Sequence, residues 1–248
     1  MQRYHHFVRR SVLLATAAAV TVSLCGPAAA QPASTPCANV TLDYQLPLKN
    51  QRIHCTLTVN DQVQLDVSSD PPWTMRLRVD GAQVQEFSEP TLVGGETGEP
   101  PMFADIDHSG TATLLVITDR GGTGGEPMAV WKMASAPTRF VRAGELFGFR
   151  QFYRTTEGLF GNYSHASASS GSVALYRWDG DKLAHVLDLE VQVADRPDSS
   201  DGPWIRNGNT DCRADGDAAD MRAAGIDPAN ASRQLCSQLW VGTIYQQH

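Results

Sequence analysis

Residues Trp73 to Phe87 constrain this chain more than any other stretch. Trp73 to Val79 alternates, with Met75, Leu77 and Val79 on one side, then Asp80-Gly81 intervenes, then Ala82 to Phe87 follows. Asp-Gly between alternating runs specifies a hairpin, because both turn residues must accept a positive φ. A two-residue loop there places Leu77 opposite Val84. The arrangement recurs at Ser172–Trp178, Asp179-Gly180 and Asp181–Val191, where it places Tyr176 opposite Leu183. Between the two hairpins lie three further strand-like runs, Thr113–Thr118, Met128–Met133 and Arg139–Arg142. Another, Leu239–Tyr245, ends the chain. Only Ala218–Cys236 reads as helical, with a start signal at Asp227-Pro228. The predicted fold is mostly β: antiparallel sheets of short strands and hairpins, propeller-like or a sandwich, with one short helical segment near the C-terminus.

The first thirty residues stand apart. Arg9-Arg10 precede an apolar run, Ser11 to Leu24, that ends in Ala28-Ala29-Ala30, the pattern of a signal peptide cut before Gln31. The run is too short to span a bilayer, which needs about 20 apolar residues. Cys25 follows Leu24 rather than the small residue that lipidation requires, which argues against a lipoprotein. The expectation is an exported, periplasmic protein, with residues 31–248 forming a single mostly-β domain. Those residues carry 17 basic and 27 acidic side chains, a net charge of −10. So acidic a body argues against a nucleic-acid partner, since phosphate contacts need clustered Lys and Arg. It also holds four cysteines, Cys37, Cys55, Cys212 and Cys236. An even number in an oxidising compartment reads as two disulfides; three pairings are open, and locality favours Cys37–Cys55 with Cys212–Cys236. Zinc is disfavoured, as no CxxC pair or His stands at ligand spacing.

Three stretches carry candidate chemistry. In Asp105-Ile-Asp-His-Ser-Gly-Thr-Ala-Thr113, oxygen-bearing side chains alternate ahead of a glycine turn. Asp105, Asp107 and Ser109, the carbonyl of Thr111, and Thr113 form a ligand set suited to weakly held Ca²⁺. Val116 stands where an EF-hand has its Glu, so this is a loop-then-strand arrangement. The second stretch, Arg120-Gly-Gly-Thr-Gly-Gly-Glu126, lacks the phosphate-loop Lys and reads as a surface loop; Thr123 and Glu126 are its candidate contacts. The third, Gly161 to Gly171, combines Tyr163, Ser164, His165 and Ser167 and reads as a binding loop. No Gly-x-Ser-x-Gly elbow or base motif marks a catalytic nucleophile, so no enzyme activity is expected.

Residues 101–191 resemble a family of periplasmic immunity proteins that neutralise lysozyme-like effectors of a bacteria-killing type IV secretion system. The features that carry the resemblance are the acidic loop feeding a strand (Asp105–Ile117), the Gly-rich link to an aromatic strand (Met128–Met133), and a phenylalanine with a short helix or turn (Phe140–Phe147). A Gly/Ser loop and a strand pair ending in Tyr-Arg-Trp-Asp-Gly-Asp-Lys-Leu (Tyr176–Leu183) complete it. The resemblance implies a periplasmic inhibitor or immunity protein that binds and blocks a lysozyme-like peptidoglycan hydrolase. Its contacts would then come from Tyr163, Ser164, His165 and Ser167, with Thr123 and Glu126 second. The acidic loop also resembles the calcium loops of FG-GAP repeats, with Ser109 and Thr113 where that family has carboxylates. The alternative function is therefore a calcium-dependent adhesion or glycan-binding module.

Overall fold

The computed structural model describes residues 35–41, 51–69, 73–90, 99–119, 122, 125–136, 138–194 and 204–246. The signal-peptide reading (residues 1–30), Arg120 and Thr123 lie outside them, as do residues 31–34, 42–50, 70–72, 91–98, 121, 124, 137, 195–203, 247 and 248. The described chain folds as three antiparallel sheets in succession, the first two simple meanders. The first sheet runs β1 (His54–Asn60), β2 (Val63–Ser68), β3 (Trp73–Val79) and β4 (Ala82–Glu89). The second runs β5 (Met102–Ala104), β6 (Thr113–Ile117), β7 (Glu126–Ser135) and β8 (Thr138–Gly148). The third comprises β9 (Phe152–Arg154), β10 (Phe160–Ser167), β11 (Ser170–Asp179), β12 (Lys182–Val193), β13 (Ile205–Asn207) and β14 (Thr210–Asp215). Its spatial order is β13-β14-β12-β11-β10-β9.

Apolar faces stack the sheets. Leu65, Val67, Met75 and Leu77 of the first sheet share a core with Leu114, Val116, Ala129 and Phe140 of the second. The opposite face of the second sheet, with Leu115, Ile117, Met128 and Val130, packs on Phe160, Tyr176 and Trp178 of the third. The second sheet is thus covered on both sides, which is why β6 reads Thr-Leu-Leu-Val-Ile without alternation and is buried at all five positions. Beyond it, Val173, Leu175, Leu187 and Leu189 of the third sheet meet the C-terminal segment through Met221, Leu235, Val241 and Ile244. Each such aliphatic side chain contributes about 1.5–3 kcal/mol by leaving water. Two disulfides, Cys37–Cys55 and Cys212–Cys236, close loops of 18 and 24 residues. Each is worth about 3 kcal/mol on the chain-entropy argument. No helix among the described residues is long and apolar enough to cross a membrane.

Both hairpins form, but not in the expected register. Asp80 and Gly81 take φ values of 50° and 80°. Val79 pairs with Ala82 and Arg78 with Gln83, and then a bulge at Val84 brings Gln85, not Val84, opposite Leu77. The bulge has a physical reason. Unbroken pairing would turn Val84, Glu86 and Ser88 inward; the extra residue turns Gln85, Phe87 and Glu89 inward instead. Phe87 then packs on Trp131, and Val84 is left 52% exposed. In the second hairpin the turn is Gly180-Asp181, between paired Asp179 and Lys182, with Gly180 at φ 59° in the position a type II′ turn reserves for glycine. Tyr176 accordingly faces His185, and Leu183 faces Trp178.

Four other expectations are corrected. Phe140–Phe147 is continuous strand inside β8, with neither helix nor turn. Gly161 to Gly171 is strand in β10 and β11 apart from a two-residue turn, Ala168-Ser169, rather than a loop. The helical segment is two short helices, α1 (Ala218–Ala223) and α2 (Ala231–Cys236). Asp217 caps α1 by accepting from the N–H groups of Ala219 and Asp220; Gly225 at φ 79° breaks the run, and Asp227-Pro228 lies in the gap. The expected terminal strand is a 3₁₀ helix, Val241–Gln246. Its buried apolar side chains, Val241 and Ile244, are three apart, which suits a period of three and not of two.

Candidate functional site

The third sheet changes character along its length. Tyr176, Trp178 and Leu183 on one face cover the second sheet. Nearer the β10–β11 tip the same face becomes polar. Strand register aligns Ser164, Ser172, Glu190 and Arg213 in one row across four strands. A neighbouring row runs Ser167, Ser170, Gln192, Asp211 and Arg206. Intervening residues, among them Val173, Leu189 and Cys212, point the other way into the core, as strand alternation requires.

The rows are knit together internally. Ser167 and Ser170 hydroxyls lie 2.7 Å apart, and those of Ser164 and Ser172 3.3 Å. Arg213 Nε donates to Glu190 Oε2 at 2.6 Å, with 38% and 35% of the two side chains exposed. That hydrogen bond raises the Arg213 pKa further. The Arg213 guanidinium also lies 5.0 Å from the Trp204 ring. Arg206 grips Asp211 through two hydrogen bonds of 2.9 and 3.2 Å. Hydroxyls, a carboxylate, a guanidinium and an amide held on one rigid sheet face can bind a polar partner. His165 projects to the opposite face from Ser164, so strand alternation separates this serine from the histidine beside it.

The expected contact residues are distributed differently from the sequence reading. Ser164 and Ser167 lie in the polar rows. Tyr163 does not: it is fully buried, its hydroxyl donating to Tyr245 Oη at 3.1 Å, which in turn donates to the Val191 carbonyl at 3.1 Å. Burial pushes the Tyr163 phenol up, so it remains a donor. The rings of Phe149 and His165 pack against it. Tyr163 thus belongs to the core between β10 and the C-terminal 3₁₀ helix rather than to the polar rows. Gly171 completes the fit; an added Cβ would collide with the Ser164 carbonyl and the Tyr163 ring. Glu126 sits in the second sheet, bound by Arg150 at 2.8 Å. Sequence reasoning missed Glu190, Gln192, Asp211 and Arg213, which no local motif marks and only the register assembles.

The acidic loop is a staple. Asp105 accepts the Ser109 and Gly110 N–H groups at 3.0 and 2.9 Å. Asp107 accepts the Ser109 N–H at 3.1 Å and the Trp178 indole N–H at 2.7 Å. Ser109 Oγ accepts the Thr111 N–H at 3.2 Å, and Thr113 is buried at the start of β6. Arg154 binds the Asp107 and His108 carbonyls at 2.7 and 3.2 Å, which ties the loop to the third sheet. Every carboxylate oxygen of Asp105 and Asp107 is therefore engaged. Among the described residues no three His, Cys, Asp or Glu side chains gather as a metal cluster. This donor set does not fit a tightly bound calcium.

Burial pushes the Asp107 carboxyl up, but the hydrogen bonds from Ser109 and Trp178 outweigh it and hold it below the ordinary carboxylate value. A group with a lowered folded pKa contributes stability above its unfolded pKa of about 3.9, lost as pH falls through the folded value. Asp107→Ala is thus expected to lower the Tm clearly at pH 7, with the gap to the parent narrowing below about pH 4. A gap that stays constant from pH 7 to pH 3 would show that the ionised carboxylate is not what holds Trp178.

No family model matches this chain, and neither a curated protein nor a solved structure matches it.

Proposed function

We propose that this chain is a periplasmic binding protein that docks through the polar rows of the third sheet and blocks a lysozyme-like peptidoglycan hydrolase. It catalyses nothing itself. The observation that carries this reading is the Ser164-Ser172-Glu190-Arg213 row, charged and hydroxylated side chains set by backbone register on a solvent-facing sheet. Two further observations support it. The net charge of −10 over residues 31–248 suits a cationic partner, since opposite charge speeds encounter and rejects wrong partners. The resemblance of residues 101–191 to effector-neutralising immunity proteins supplies the class of enzyme. Hydrolases of this class hold two carboxyl groups in a cleft, and the serine hydroxyls offer donors to such groups.

The test is clearance of a peptidoglycan suspension by a secreted lysozyme-like hydrolase, with and without this protein. The expected result is inhibition at equimolar micromolar protein, weakened at least tenfold by Ser167→Trp at the exposed hairpin tip or by Glu190→Arg. Unimpeded clearance in the presence of the parent protein would defeat the proposal. A second reading, glycan binding, is favoured by Trp204 beside Arg213 and Glu190. Calorimetric binding of chitin oligomers without any inhibition would select it. Calcium enters either reading only as a weak ligand of the acidic loop. With an extracellular-type affinity of about 10⁻⁴ to 10⁻³ M, 1 mM calcium would add about 0.4–1.4 kcal/mol of stability. A larger gain would mean that the loop rearranges into a full cation site.

A further inference from the structure

A groove of about 570 Å³ runs between two sheet edges, away from the polar rows. One wall is β1, the outermost strand of the first sheet; the other is β5, the outermost strand of the second. Its lining is mostly apolar, with Pro36, Val40, Leu57, Pro101, Met102 and Phe103. Unpaired sheet edges present backbone donors and acceptors and are templates for another strand. This edge already carries one isolated parallel bridge. Thr56 donates its N–H to the Thr35 carbonyl at 2.9 Å, and Pro36 bridges Thr56 in parallel. The chain then leaves the edge in a 3₁₀ turn, Cys37–Asn39, which Cys37–Cys55 pins in place. Thr58, two residues beyond Thr56, directs its backbone groups the same way as Thr56 and also lines the groove.

One end of the groove is charged. Glu99 and Arg150 line it; Arg150 is bound by Glu99 and, beyond the lining, by Glu126, two carboxylates against one guanidinium, with 44% and 33% of the glutamate side chains exposed. The local excess is negative, as it is for residues 31–248 as a whole.

We propose that this groove docks an extended apolar segment of a partner protein, bearing a basic residue near one end, by strand addition to the part of the β1 edge that no described residue pairs. Backbone pairing at the outward-facing groups of Thr58 supplies the register, the apolar lining takes alternate side chains, and Glu99, backed by Glu126 across Arg150, takes the basic residue. The proposal concerns a surface separate from the polar rows and stands whether or not these inhibit a hydrolase.

The test uses fluorescence polarisation with the full exported chain and three labelled hexapeptides. The first is Lys-Val-Thr-Val-Thr-Val; the second replaces its lysine with glutamate; the third replaces both threonines with proline, removing backbone donors. The lysine peptide is expected to bind. The glutamate peptide should bind at least fivefold more weakly, and the proline peptide should lose binding altogether. Ala38→Trp places a bulky ring in the groove from an exposed position, so the fold is retained while binding falls at least tenfold. Ser167→Trp, on the third sheet, should leave peptide binding unchanged. Failure of the lysine peptide to bind, equal binding of the proline peptide, or full binding by Ala38→Trp would each overturn the proposal.

Discussion

Tyr163→Ala is expected to cost about 3–5 kcal/mol of folding stability, the range for deleting a buried aromatic side chain. Net stabilities of domains this size are commonly about 5–15 kcal/mol, so the variant should be close to unfolding at 37 °C. The side chain is fully buried, and Phe149, His165 and Gly171 lie against it. Tyr163→Phe keeps the ring and removes only the hydroxyl that donates to Tyr245, for an expected loss of about 1 kcal/mol. Urea unfolding of both variants checks the pair. A Tyr163→Ala protein as stable as the parent would mean that this side chain lies at the surface, and would restore it as a contact residue.

Arg142→Met is expected to destabilise by about 3 kcal/mol, because it leaves a buried carboxylate without its counter-charge. Only 5% of the Glu89 side chain is exposed. It accepts from Arg142 Nε at 2.9 Å, Arg142 Nη2 at 3.1 Å and Trp131 Nε1 at 2.9 Å. Arg142 is itself 38% exposed, so water reaches part of the cluster and places the loss at the lower end of the range for broken buried pairs. Removing both charges in Glu89→Gln/Arg142→Met should recover stability to within about 1 kcal/mol of the parent, since Trp131 can still donate to the amide oxygen. Denaturation at pH 7 distinguishes the cases. A single variant losing less than about 1 kcal/mol would show that Glu89 is hydrated in solution.

The bulge at Val84 links this cluster to the fold. One extra residue in β4 turns Glu89 and Gln85 inward, and Gln85 then pairs with the Phe140 backbone, accepting at 2.7 Å and donating at 2.8 Å. The side-chain amide does for the β8 edge what another strand would do. A two-residue loop and an alternating pattern cannot announce such a bulge, since the residues that demand it, Trp131, Phe140 and Arg142, lie some fifty positions downstream.

Local pattern was enough for several features. Period-two alternation and Asp-Gly turns establish the mostly β, antiparallel architecture, because side-chain direction and turn φ depend on neighbours in sequence alone. The spacing of the four cysteines likewise favours the two bridges that form, as short loops close at low entropic cost. Tertiary structure decided the rest. Gly161 to Gly171 is small, polar and hydroxylated, and by itself reads as a loop; sheet pairing makes most of it a strand and splits its residues between a core and an open face. Val241 and Ile244 serve equally in a strand or a 3₁₀ turn until the third sheet offers a surface that accepts a spacing of three. Asp105 and Asp107 could hold a cation or a turn, and Trp178, seventy residues on, claims one of their oxygens. The polar rows are the extreme case. Ser164, Ser172, Glu190 and Arg213 become neighbours only through strand register, which is set by burial of the opposite face, and burial is a property of the assembled sheets rather than of any segment.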